Sequence, residues 1–123
     1  MSENEATIRR FIDAWPRLDP DELVAFFTED GIYHNMPIGP IQGQAALRPF
    51  IAAFLGNWTA TNWDILNITA QGDLVMAERV DHITVGEKQI DLPCCGVFEL
   101  RDGRIAAWRD YFDMGTYTRA LAG

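Results

Sequence analysis

At 123 residues, 48% apolar and 23% charged, the chain is long enough for one sizeable core and too apolar to stay disordered. A formal charge of −8 argues against nucleic acid or an anionic membrane as a partner, since both require basic patches. No stretch approaches the roughly 20 apolar residues of a membrane span.

The opening MSENEATIRR is polar, where a secretion signal needs a basic and then an apolar run, so the expected location is cytoplasmic. Ser2 and Glu5 have the spacing of a capping box, and Ile8, Phe11, Ile12 and Trp15 recur at helical intervals. LDPDELVAFF repeats the signal, with Asp19 as N-cap, Pro20 in the first turn and Leu23, Phe26 and Phe27 as the apolar face. The first thirty residues therefore predict two helices. GIYHNMP reads as a short strand ended by Pro37, and IGPIQG as a loop. QAALRPFIAAFLGN predicts a third helix closed by Gly56, with Pro49 near its start or bending it. Strands follow at roughly 58–70, 74–84, 89–100 and 104–113, separated by the hairpin turn signals QGD, GEK and RDG. Residues 114–121 predict a short terminal helix. One domain over 1–123 is expected. Its class is α+β: a curved mixed or antiparallel sheet forming a cone around three to four helices, with an apolar pocket inside.

Adjacent Cys94 and Cys95 rarely close an unstrained disulfide, and they lack the spacing of a metal site or redox motif. Free thiols in a reducing compartment are expected. His34 and His82 likewise lack ligand spacing, so no metal is expected.

The segment LVMAERVDHITV raises the question of chemistry. Alternation along a strand puts Arg79 and Asp81 on the same face as Val75, Ala77 and Ile83. Burying charge is costly unless it is paired. One reading is a structural salt bridge, the common outcome for Arg-x-Asp; the other is the floor of an active site. The last strand, IAAWRDYFD, sharpens the choice. It sets Asp110 on one face between Trp108 and Phe112, an unusual place for a carboxylate without a cation nearby. Arg79 is suited to bind both Asp81 and Asp110, because a guanidinium can bond two carboxylates at once. Such a set separates the two pKa values: Asp110 stays ionised, Asp81 keeps its proton, and one becomes base and the other acid. Tyr33 and Asn35 share a face of the first strand, where phenol and amide can hold a water for the base.

The strings YHNMP, ERVD and WRDYFD, in this order, resemble the limonene-1,2-epoxide hydrolase family. The similarity runs from about residue 5 to 118. It implies the cone-shaped fold also seen in nuclear transport factor 2 and ketosteroid isomerase. It also implies a one-step hydrolysis. Asp110, with Tyr33 and Asn35, positions and deprotonates a water; the water attacks an epoxide carbon; Asp81 protonates the departing oxygen; and Arg79 bridges the aspartates. No cofactor is expected, because ring strain already favours opening. The partners are then water and a small apolar epoxide, with a pocket of Trp108, Phe112, Leu92, Cys94 and Phe98. A homodimer is expected from the resemblance and from Trp and Ile residues on the open outer sheet face. Two other readings share the fold: an isomerase or cyclase moving a proton next to a carbonyl, and a ligand-binding or dimerisation module without catalysis.

Overall fold

The computed structural model describes residues 2–123; Met1, within the expected domain, lies outside them. Helix α1 (Glu3–Ala14) starts where Ser2 accepts a hydrogen bond from the Glu5 backbone, as the capping box predicts. A 3-10 turn (Trp15–Arg17) leads to α2 (Pro20–Val24), capped by Asp19. That helix is shorter than its pattern suggests. Phe27 begins strand β1 (Phe27–Asn35), and Ile105 donates to the Phe26 carbonyl at 2.8 Å. Strand pairing wins over helical periodicity there, in a run (FFT) that already favours the pleated surface.

The IGPIQG stretch, expected as a loop, contains strand β2 (Gly39–Gln42), which folds back antiparallel on β1. Helix α3 (Gln44–Leu55) runs through Pro49 without ending. Strands β3 (Ala60–Gln71), β4 (Leu74–Val85), β5 (Lys88–Arg101) and β6 (Arg104–Phe112) form an antiparallel meander, and α4 (Met114–Ala122) closes the chain. The three hairpins turn on two residues each, at Gly72, at Gly86 and at Asp102–Gly103. Both residues of the last turn have positive φ (53° and 78°), the twist a tight hairpin needs.

The sheet order is β2-β1-β6-β5-β4-β3. The β1–β6 pair is parallel, so the sheet is mixed. Register shifts in β1, β3 and at the β5–β6 pair bend it. The fold is the expected α+β arrangement. Its inner face packs on the helices through an aromatic core. Phe11 of α1 meets Trp15, Phe27, Phe98 and Trp108 edge-on, with ring centroids 5.1–6.2 Å apart. Each such pair contributes about 0.5–1.5 kcal/mol beyond its area burial. One expectation fails here. No tryptophan faces outward: Trp15, Trp58, Trp63 and Trp108 are all buried, because the helices and the sheet's concave side compete for the largest apolar surfaces. The exposed large apolar side chains include Leu66, Met76 and Tyr111. No helix among the described residues is long and apolar enough to cross a membrane.

Candidate active site

Four neighbouring strands build the site. Asn35 on β1 lies in register with Asp110 on β6, and Asp110 lies opposite Gly96 on β5. Arg79 on β4 lies opposite Cys94 on β5, one inward position further along. A side chain from β4 can therefore reach Asp110 only by crossing β5 diagonally. Gly96 makes the crossing possible. A Cβ there would stand 2.7 Å from Arg79 Nη1 and 2.9 Å from both Phe98 and Trp108. The interior glycine of PCCGVF is a sequence signal for close approach within a strand. Gly96 is a site residue that alternation and charge pairing do not mark.

The guanidinium is fully buried and forks to both carboxylates. Nε and Nη2 donate to Asp81 at 3.0 Å each; Nη1 and Nη2 donate to Asp110 at 3.0 and 2.9 Å. Its carbon sits 4.7 Å from the Trp63 ring and 5.7 Å from the Trp108 ring, a cation–π enclosure. Arg79, Asp81 and Asp110 thus come together as the alternation argument requires, and Tyr33 and Asn35 stand beside them.

Burial pushes Asp81 above the usual carboxylate range, with Arg79 opposing and Asp110 adding to the rise. Two carboxylates and one guanidinium would leave a net charge in a low dielectric, and a proton on Asp81 removes it. Burial also works against the charge of Arg79, yet Asp110 and Asp81 outweigh it and hold the guanidinium further into its charged form. Burial, then the charge of Asp110, drives the Tyr33 hydroxyl well above its ordinary value, so Tyr33 remains a proton donor.

Asp81, Cys94 and Asp110 bring possible metal-binding atoms within 4.8 Å of one another. They do not suit a metal. Arg79 Nη2 already lies 3.0, 3.1 and 2.9 Å from the three, filling the position with a cation. Burial drives the Cys94 thiol far above its usual range, so it stays protonated and is a poor ligand or nucleophile.

Both carboxylates face a cavity of about 150 Å³, while the guanidinium lies behind them. Leu92 and Phe112 line it, as expected. Trp108, Phe98 and Cys94 do not. Alternation puts them on the inward face, but position along the strand decides between core and cavity. Trp108 is sealed between Tyr33, stacked at 4.1 Å, and Phe98 at 5.2 Å, with Phe11 over its edge. Cys94 lies against Arg79 beneath the floor. The rest of the wall is Ile83 and, beyond it, Ile38, Phe54, Trp58, Trp63, Met114 and Tyr117. Those beyond Ile83 are scattered over the chain, and no local pattern marks them. His34 and His82 point away from the cavity, as expected. His82 lies on the outer face between Asp91 and Asp64, at 2.7 and 2.9 Å.

The sequence profile of the limonene-1,2-epoxide hydrolase catalytic domain matches residues 2–122. The chain belongs to that family. It is 33% identical over 107 residues to epoxide hydrolase EphG of Mycobacterium tuberculosis, covering 87% of this chain and 71% of that protein. A solved epoxide hydrolase of this type from M. tuberculosis superposes with a TM-score of 0.84 at 31% identity, over 98% of this chain and 90% of the other. A SnoaL-like, polyketide-cyclase-type protein from Shewanella putrefaciens CN-32 superposes with a TM-score of 0.85 at 18% identity, over 99% and 98%; at that identity the likeness is one of fold.

Proposed function

We propose that this member of the epoxide hydrolase family opens a small apolar, limonene-like or cyclic epoxide to a vicinal diol in one step, without a cofactor. One observation carries the reading: two carboxylates share a single buried guanidinium and face the same apolar cavity. Asp110 takes a proton from a water that Tyr33 and Asn35 hold. The water oxygen bonds to one epoxide carbon as that carbon's bond to the ring oxygen breaks. Asp81 delivers its proton to the departing oxygen. Asp110 ends protonated and Asp81 ionised, so a proton returns to Asp81 before the next turnover. Separating acid from base supplies both the push on carbon and the pull on oxygen that ring opening needs. A cavity of about 150 Å³ is on the scale that holds a benzene-sized molecule, which favours a compact ring.

The test is a panel of cyclic epoxides followed by one turnover in ¹⁸O-water with enzyme in excess. Direct attack of water puts the label in the first diol and leaves the protein unlabelled. Label in the peptide carrying Asp110 would mean instead that this carboxylate attacks carbon and forms an ester. Absence of diol from every epoxide would return the isomerase or cyclase reading. The same proposal includes a cytoplasmic homodimer, supported by the free Cys94 and Cys95 thiols and the outward Met76 and Tyr111. Light scattering in solution decides its oligomeric state.

A further inference from the structure

The cavity is polar at two places. The floor carries Tyr33, Asn35, Asp81 and Asp110, all used above. The other place is Tyr117 on α4, which the reaction leaves idle. Its hydroxyl accepts a hydrogen bond from Trp58 Nε1 at 3.0 Å. An indole only donates, so the phenol proton must point away from Trp58. Among the described residues that proton makes no hydrogen bond: Tyr117 enters the side-chain hydrogen bonds solely as the acceptor from Trp58. The other indole in the wall is already spent, since Trp63 donates to Thr61 at 2.9 Å. The wall thus presents one oriented donor, held by the buried Trp58, among Ile38, Phe54, Ile83, Leu92, Phe112 and Met114.

We propose that Tyr117 is a second recognition point, and that the preferred substrate is a compact ring epoxide bearing one further oxygen acceptor (a carbonyl, ether or hydroxyl) remote from the epoxide. The proposal rests on the epoxide hydrolase reading only for the chemistry of the reacting end. The floor would fix the epoxide and Tyr117 would fix the other end, so the ring enters in one orientation. A neutral hydrogen bond of this kind discriminates by about 3–10-fold. An alternative role is purely structural: the phenol merely satisfies the Trp58 indole.

Two matched pairs separate the possibilities. The first is a cyclic hydrocarbon and the ketone of the same skeleton, with binding followed through tryptophan fluorescence, since Trp58 and Trp63 line the cavity. The second is the corresponding pair of epoxides, compared by kcat/KM. The wild type is expected to favour the oxygenated member of each pair by about 3–10-fold. Tyr117→Phe should bring both ratios to about 1, and should do so equally in a Trp58→Phe background. A wild type without preference, or a Tyr117→Phe protein that keeps it, overturns the proposal. Epoxides hydrolysed without preference would sink this inference and leave the hydrolase reading intact. Preferential ketone binding lost in Tyr117→Phe, with no epoxide turned over, would do the reverse.

Discussion

Strand β4 carries two clusters of the same make-up on its two faces. Inside, Arg79 lies between Asp81 and Asp110; outside, His82 lies between Asp64 and Asp91. Each is one basic group with two carboxylates at hydrogen-bond distance. The difference is water. Side-chain exposure is 0% for Arg79 and 5% for each of its aspartates, against 34% for His82 and 55% and 61% for Asp64 and Asp91. In the outer cluster, solvent screens the charges. In the inner one, burial forces the three to share a charge state. Under the proposed mechanism, this is why a pair of aspartates becomes an acid and a base on the concave side and not on the outer face.

The largest expected contrast is in turnover. Asp110→Asn should fold and lose diol formation by about 10²–10⁴-fold, because asparagine cannot accept the proton. Asp91→Asn should stay within about two-fold of wild type, as an exposed pair removed from the cavity. Near-normal diol formation by a clean Asp110→Asn preparation would remove Asp110 from the mechanism.

Stability should show the same asymmetry. Arg79→Met leaves two buried carboxylates without a cation and should cost about 3–5 kcal/mol in urea unfolding. His82→Gln should cost under about 1 kcal/mol. The outer contribution is also pH-dependent. The hydrogen bond to Asp91 raises the His82 pKa most; burial opposes it, and the hydrogen bond to Asp64 adds to the rise. Its stabilisation is therefore full below the ordinary histidine value and lost as pH rises through the raised one. The two melting temperatures should converge on the alkaline side of that value, and a gap that widens with pH would contradict the assignment.

Gly96→Ala tests the corridor between β4 and β6. The added methyl meets Arg79, Phe98 and Trp108, all fully buried. Overpacking of that kind costs about 1–3 kcal/mol, and here it also pushes the guanidinium off Asp110. Wild-type stability and activity in this variant would show that Arg79 has room to spare.

The smallest effect concerns the acid. Asp81 has to be protonated to act, and its pKa is raised, so turnover should hold below that raised value and fall as pH climbs through it. The Cys94 thiol beside Asp81 lowers its pKa against that trend. Cys94→Ala should therefore move the alkaline limb of kcat to higher pH. Movement to lower pH would mean the thiol acts through Arg79 instead.

Periodicity and alternation alone located most helices and strands, all three hairpin turns and the inward face shared by Arg79, Asp81 and Asp110. Those are local properties: the hydrophobic period, turn chemistry and the two-residue repeat of a pleated chain belong to neighbouring residues. The end of α2 was not legible, because it depends on β6 far along the chain; β2 was not legible either, although it only folds back on β1, because the glycine and proline of IGPIQG read as a loop. The division of the inward face into core and cavity was not legible either. Trp108 and Phe112 sit four residues apart on one face of β6, yet one is sealed beneath Phe11 and the other meets the cavity. Only the bending of the sheet over α1 and α3 decides which of them a ligand can touch, and that bending is a property of six strands together, not of any one.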